Sequence, residues 1–320
     1  MNGAHDFIRP NLGFIFPGQG SQSIGMLREL AQSFPLVIET YAEASDILGY
    51  DLWGLVQDGE EATLNHTERT QPAMLAAGVA VWRVWRAQGG DLPAVMAGHS
   101  LGEYTALVCA EALDFAPAVS LVADRGRYMR DAVPEGEGAM AAILGLNDAQ
   151  IIAACMAAAE GEVVTAVNFN APGQVVIAGN HAAVIRAVEV AKGLGARRAV
   201  LLPVSVPSHC ALMVDAARRL RERLETVPLT SPRIPVLNNV DVATPTDPAM
   251  ICDALVRQLY SPVRWVECVQ NFARRGISTL IEAGPGKVLA GLCKRIEKGV
   301  VTRPVFDPDG LHQSLDPYPN

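Results

Sequence analysis

The sequence predicts an α/β protein built on a mainly parallel sheet, with a smaller unit of different topology set into it. Three observations carry this. Short apolar runs alternate with longer stretches of helical spacing along most of the chain, the pattern of strands joined by crossover helices. From residue 134 to 203 the rhythm changes to strand, helix, strand, strand, helix, strand, the order of a ferredoxin-like unit. Gly98-His99-Ser100-Leu101-Gly102 falls between an apolar run and a helical pattern, so it reads as a strand–turn–helix junction.

Taken in order, residues 12–16 and 94–97 are strands, each closed by a glycine-containing turn, and helical spacing follows over 27–49 and 103–112. Further strands are expected at 138–144, 163–167, 175–178, 199–204, 236–238 and 279–282, and helices at 148–159, 182–194, 211–226 and 248–259. These place the larger body in 12–133 and 204–298, the inserted unit in 134–203, and terminal extensions in 1–11 and 299–320. The proline-rich stretch 304–319 is expected to be a loose tail.

Half of the 320 residues are hydrophobic and only 19% are charged, so the chain can bury a large core. Lys and Arg number 26 against 34 Asp and Glu, for a net charge of −8. A broad basic face for nucleic acid is excluded, and an anionic ligand must be met by a few well-placed cations. No apolar run reaches the ~18 residues of a membrane span. The first residues lack the apolar core of a signal peptide. The six cysteines, at 109, 155, 210, 252, 268 and 293, include no C-x-x-C pair. They read as buried free thiols in a reducing compartment, with no metal site. A cytoplasmic location follows as the expectation.

The G-x-S-x-G segment is the sharpest chemical signal. A serine on a tight strand-to-helix turn needs small neighbours, exposes its Oγ, and stands at the positive end of a helix. Two phosphate-type motifs fail. Gly18-Gln19-Gly20 lacks its third glycine, with Ser23 in that place, and Gly284-Pro285-Gly286-Lys287 runs into Val288 with Ile281 where the first glycine belongs. A serine nucleophile needs a base. His5 and His312 lie in the terminal stretches, and His66 and His181 near polar element ends. His99 is tied beside the serine and lines the pocket instead. His209, in Pro207-Ser208-His209-Cys210 at a helix entry, remains. Cys210 next to it points away, as neighbours on a helix do. Glu103, in the first turn after the serine, is read as a partner of the helix dipole. The arginines at 218, 219, 221 and 223 read as a solvated helix face. Lys192, Arg197, Arg198, Lys287, Lys294 and Arg295 are better placed for phosphates or an acidic protein.

In order along the chain stand Phe16-Pro-Gly-Gln-Gly-Ser-Gln22, Gly98-His-Ser-Leu-Gly-Glu-Tyr104, Arg125-Gly126, Asn168-Phe-Asn-Ala-Pro-Gly-Gln174, Val206-Pro-Ser-His209 and Glu282-Ala-Gly-Pro-Gly286. Together, over residues 12–295, they resemble the malonyl-CoA:acyl carrier protein transacylase family of bacterial fatty acid synthesis, whose relatives include the acyltransferase domains of polyketide synthases. The resemblance implies an α/β-hydrolase-like body carrying the ferredoxin-like subdomain. It implies Ser100 as nucleophile and His209 as base, with the backbone N–H groups of Gln19 and Leu101 forming an oxyanion hole. By motif position, Arg125 holds the malonyl carboxylate, the backbone carbonyl of Gln258 orients the histidine, and Gln71 lines the acyl pocket with His99. No bound cofactor is implied. The coenzyme A thioester is substrate, acyl carrier protein is the partner, and a monomer is expected.

Three readings compete at this level: acyl transfer from coenzyme A to a carrier thiol, a serine hydrolase, and a non-catalytic carrier-binding module. Arg125 and the lack of an evident triad carboxylate oppose the second, and the presence of both Ser100 and His209 opposes the third. Val206-Pro-Ser-His209 is similar to malonyl-selective members, and the sequence leaves open how strictly malonyl is preferred to methylmalonyl.

Overall fold

The computed structural model describes residues 7–204 and 206–315. In chain order the strands are β1 (Ile8–Phe16), β2 (Leu92–Gly98), β3 (Gly138–Leu144), β4 (Val164–Ala171), β5 (Gln174–Asn180), β6 (Arg198–Leu201), β7 (Val236–Leu237), β8 (Thr279–Ala283) and β9 (Val301–Val305). They form two separate sheets. The larger runs β7-β2-β1-β8-β9 with every neighbour parallel. The smaller runs β4-β5-β3-β6 and is antiparallel throughout. An α/β protein with a parallel sheet and a second sheet of different topology is therefore what the chain makes. The apolar ends of β1 and β2 are buried almost without interruption, as central parallel strands covered on both faces must be.

The first helical stretch is two helices. α1 (Arg28–Ser33) stops at Phe34, extended at φ −135°, because Pro35 disfavours helix at the residue before it; α2 (Leu36–Leu48) starts there and ends on Gly49 at φ 73°. Three helices follow that the sequence pattern did not mark: α3 (Leu52–Asp58), α4 (Glu61–Leu64) and the 21-residue α5 (Thr67–Ala87). α5 contains Pro72 and is buried around most of its circumference. It has no polar stripe to betray its period.

α6 (Gly102–Cys109) leaves the elbow, α7 (Phe115–Asp131) crosses α5, and α8 (Asp148–Ala158) and α9 (His181–Gly193) accompany the small sheet. Asn147 and Gln150 cap α8 reciprocally, at 2.9 and 3.0 Å. After them come α10 (Val214–Leu224), α11 (Pro248–Gln258), α12 (Trp265–Arg274), α13 (Val288–Ile296) and α14 (Pro308–Leu315). The small sheet packs Ile143, Val175 and Ile177 against Ile151 and Val184 of its two helices. It also touches the larger body directly, where the Phe169 N–H donates to Val263 O at 3.0 Å and the Val263 N–H to Val167 O at 2.8 Å.

The ends of the chain differ from expectation. Over its described residues, 304–315, the proline-rich stretch is not a loose tail: β9 pairs with β8 along its whole length, and Leu311 of α14 is fully buried. Pro304 is tolerated because β9 is the edge strand, where one side needs no N–H donor. At the other end β1 begins at Ile8, already paired with Leu92, so the N-terminal extension is shorter than residues 1–11. Residues 1–6, with His5, and 316–320 lie outside the described residues.

Candidate active site

Ser100 follows the carboxyl end of β2 and has φ 50°, a left-handed conformation costly for a residue with a side chain. The flanking glycines are forced by contact. A Cβ on Gly98 would lie 1.8 Å from the Gly102 carbonyl carbon, and one on Gly102 would lie 2.1 Å from Phe16 O. Asn239, just past β7, pins this turn from the next strand. Its Oδ1 accepts from the Ser100 N–H at 2.7 Å and its Nδ2 donates to Gly98 O at 2.8 Å.

His209 also has a positive φ, 67°, and its N–H donates to Leu259 O at 2.9 Å. Its Nε2 stands 2.8 Å from Ser100 Oγ, and its Nδ1 2.7 Å from the Gln258 carbonyl oxygen. A carbonyl can only accept, so Nδ1 carries the proton and Nε2 is left to accept the serine hydroxyl. Burial, joined by the positive charge of Arg125, pushes the imidazole pKa down to about 3. At neutral pH the ring is an uncharged base.

Arg125 on α7 is fully buried. Nη1 donates to Gln71 Oε1 at 2.8 Å, Nη2 to Gln258 Oε1 at 3.0 Å, and Nη2 also reaches Ser100 Oγ at 3.3 Å. Its guanidinium lies 5.3 Å from the Tyr104 ring centroid, while Nε makes no hydrogen bond. The fork is thus met by two amide oxygens and by the serine, with no carboxylate on it. Arg127 and Arg130, indistinguishable from Arg125 by sequence spacing, turn outward to pair with Asp124 and with Glu68 and Asp131.

Gln71 passes the network on, its Nε2 donating to Thr67 Oγ1 at 3.3 Å, and Thr67 donates to Gln19 Oε1 at 2.9 Å. Gly18 lies against the elbow, since a Cβ there would meet His99 O at 2.4 Å. Among the described residues neither the Gln19 nor the Leu101 N–H donates to a protein acceptor. His99 turns away from the serine, as expected of its neighbour, and its Nε2 meets Asn170 Oδ1 of the small sheet at 2.8 Å. The Cys210 Sγ donates to Pro207 O, and burial holds the thiol up at about 11, so it is not a nucleophile at neutral pH.

Sequence reasoning missed Asn239, which reaches the elbow from just past β7 with no local motif, and gave no role to Asn170, although it stands within the Asn168–Gln174 motif. Glu103 was read as a dipole partner of α6. Its side chain instead turns inward, 2% exposed, where Oε2 accepts from the Asn239 N–H at 2.9 Å and from Gln258 Nε2 at 2.8 Å. Burial pushes its carboxyl up to about 7. Among the described residues no group of His, Cys, Asp and Glu is placed to hold a metal ion, and no helix is long and apolar enough to cross a membrane.

A serine on a left-handed turn, a neutral histidine on its Oγ and a buried cation beside both define an enzyme of acyl transfer. The profile of the acyl transferase domain family matches residues 13–300. The malonyl CoA-acyl carrier protein transacylase of Salmonella typhimurium is 58% identical over 302 residues, covering 94% of this chain and 98% of that protein. The crystal structure of an acyl carrier protein S-malonyltransferase from Vibrio cholerae superposes with a TM-score of 0.92 at 58% identity, over 94% and 99% of the two chains. A malonyl-transacylase solved in complex with a type II PKS acyl-carrier protein gives a TM-score of 0.94 at 54% identity, over 95% and 99%. The chain belongs to the malonyl CoA-acyl carrier protein transacylase family of acyltransferases.

Proposed function

We propose that this protein transfers malonyl from malonyl-CoA to the phosphopantetheine thiol of an acyl carrier protein, through an ester on Ser100. The observation that carries the malonyl reading is Arg125 Nη2 at 3.3 Å from Ser100 Oγ. In a malonyl thioester the free carboxylate is one carbon from the carbonyl under attack. The cation that recognises it must therefore lie beside the nucleophile, and a buried guanidinium met only by neutral oxygens lacks the anion that malonyl brings.

His209 Nε2 takes the Ser100 proton as Oγ attacks the thioester carbonyl. The developing oxyanion is held by the N–H groups of Gln19 and Leu101. The tetrahedral intermediate collapses, the C–S bond breaks, and the coenzyme A sulfur leaves with the proton from His209. The carrier thiol then enters, gives its proton to His209 and attacks the Ser100 ester. On collapse Ser100 leaves and recovers its proton from the imidazolium. The Gln258 carbonyl keeps the ring in the right tautomer throughout. The reading requires no bound cofactor. It takes residues 12–133 and 204–298, extended by β1 from Ile8 and by β9 and α14, as an α/β-hydrolase-like body and 134–203 as a ferredoxin-like subdomain, supported by the β4-β5-β3-β6 order. It places the protein in the cytoplasm as a monomer, in keeping with six free cysteines.

Intact mass after mixing with malonyl-CoA alone tests the covalent step. One malonyl group should add to the wild type and none to Ser100→Ala; an adduct that persists there sinks the serine assignment. Steady-state patterns should be ping-pong. Arg125→Ala tests the selectivity. Loss of a bidentate, partly desolvated carboxylate contact costs roughly 2–5 kcal/mol, about 30- to several-thousand-fold in kcat/KM for malonyl-CoA. Acetyl transfer should hold or rise, and Arg125→Lys should rescue only partly, since a point charge lacks the planar fork. Equal losses for both donors would leave Arg125 a structural residue.

A further inference from the structure

Glu103 touches neither Ser100 Oγ nor the guanidinium of Arg125, yet its Oε2 is where two arms of the site meet. One arm runs through Gln258, whose Nε2 donates to Glu103 at 2.8 Å and whose Oε1 accepts from Arg125 Nη2 at 3.0 Å. The other runs through Asn239, whose backbone N–H donates to Glu103 at 2.9 Å while its side chain holds the Ser100 N–H and Gly98 O. All four residues are at most 2% exposed.

The orientation of the Gln258 amide decides what Arg125 meets. Its two ends differ little in shape, so a half-turn about the last side-chain bond would present NH2 to a guanidinium that can only donate. Glu103 opposes that half-turn, because its Oε2 accepts from the Asn239 N–H and from Gln258 Nε2 together, so the end of the amide facing it is the NH2 end. Its hold on Gln258 is reinforced by the Ser100 carbonyl, which accepts from the same Nε2 at 3.2 Å. Gln71 supplies the second oxygen of the fork independently, from α5.

We infer that Glu103 is a positioning residue for acyl-group selectivity: by fixing the Gln258 amide it aims the Arg125 fork at the carboxylate of the acyl donor. This rests on the malonyl reading above, in which Arg125 meets that carboxylate. What the role needs from residue 103 is an acceptor at one point. The Asn239 N–H selects the oxygen of a glutamine introduced there, so Glu103→Gln keeps the acceptor in place. Glu103→Asp keeps the charge but withdraws the acceptor by the length of one methylene.

The test is the ratio of kcat/KM for malonyl-CoA to that for acetyl-CoA in wild type, Glu103→Gln, Glu103→Asp and Gln258→Leu, with Arg125→Ala measured in the same series. Glu103→Gln should keep the ratio within about threefold, and Glu103→Asp should lower it by roughly tenfold or more, the worth of a hydrogen bond to a charged group. Gln258→Leu should lower it as far, and the double variant Glu103→Asp with Gln258→Leu no further than either single one. A residue that merely stabilises the fold would lower both donors together and leave the ratio unmoved. An unchanged ratio in Glu103→Asp overturns the inference, as does one in Gln258→Leu should the aspartate variant not fold. Loss of the ratio in Glu103→Gln overturns it too, since the charge and not the acceptor would then matter. Arg125→Ala separates the two levels. If it leaves the ratio unchanged, the malonyl reading has failed; if it alone collapses the ratio, only the role of Glu103 has.

Discussion

A histidine that is buried, oriented by a carbonyl and set near an arginine should behave as a base over an unusually wide pH range. Its proton affinity is lowered, first by desolvation and then by Arg125, to a pKa of about 3 against 6.5 in water. Self-acylation from acetyl-CoA, which brings no carboxylate of its own, should show no acid limb centred near 6.5 between pH 8 and pH 5. A limb at that position that persists in Glu103→Gln, which removes the carboxyl pushed up to about 7, would mean that His209 is solvated. The same shift has a sign for stability. The unfolded chain binds the His209 proton below about pH 6.5 while the folded protein does not, so the contribution is present above 6.5 and drains away as the pH falls toward 3. Replacing the histidine with glutamine should therefore flatten the fall in Tm on acidification.

At the level of elements, the glycines that let strands and helices meet differ in what stands opposite them. A Cβ on Gly102 would run into the Phe16 carbonyl oxygen, fixed backbone of β1. A Cβ on Gly78 of α5 would meet Thr105 Cγ2 at 2.6 Å, a buried side-chain atom and not the backbone of the elbow. Gly102→Ala should displace the elbow and lose roughly a hundredfold in acylation rate. Gly78→Ala should cost about 1–3 kcal/mol of stability with acylation retained. Measured acylation rates and melting temperatures for the pair check both halves. The elbow was legible in the sequence because strand, turn and helix are consecutive and the two glycines stand at fixed offsets. The arginine was legible only by resemblance, since nothing local separates Arg125 from Arg127, whereas His209 was reached by elimination among the histidines and given its role as base by the resemblance. α13 shows why some helices escape altogether. Its orphan N–H groups at Leu289 and Ala290 are capped at 2.9 and 2.7 Å by Glu282 of the preceding strand, so no capping residue stands next to the helix. α5 hid for the opposite reason, being too apolar to show a period. The tail was misread because proline content says nothing about a strand that lies on an edge.

For the molecule as a whole, a net charge of −8 must be reconciled with an acidic partner. The arginines of α10 are largely spent in ion pairs, with Glu222, Asp131, Asp253 and Asp124. Arg198 on β6 and Lys287 before α13 are exposed and better suited to steering a carrier. Charge reversal at either should raise the KM for carrier protein while leaving self-acylation by malonyl-CoA unchanged, and added salt should weaken carrier use through the encounter rate. If neither matters, the docking face lies elsewhere. The order of the large sheet carries one more consequence. β1, the first strand made, lies between β2 and β8, and β8 in turn needs β9, so the sheet draws on both ends of the chain. The small sheet closes within one continuous stretch. On the ribosome, then, the small sheet can form early, while β1 waits with an unfilled apolar edge until β8 has emerged. A nascent chain released before that point would carry a finished accessory sheet and no catalyst, together with an exposed strand edge for chaperones to cover.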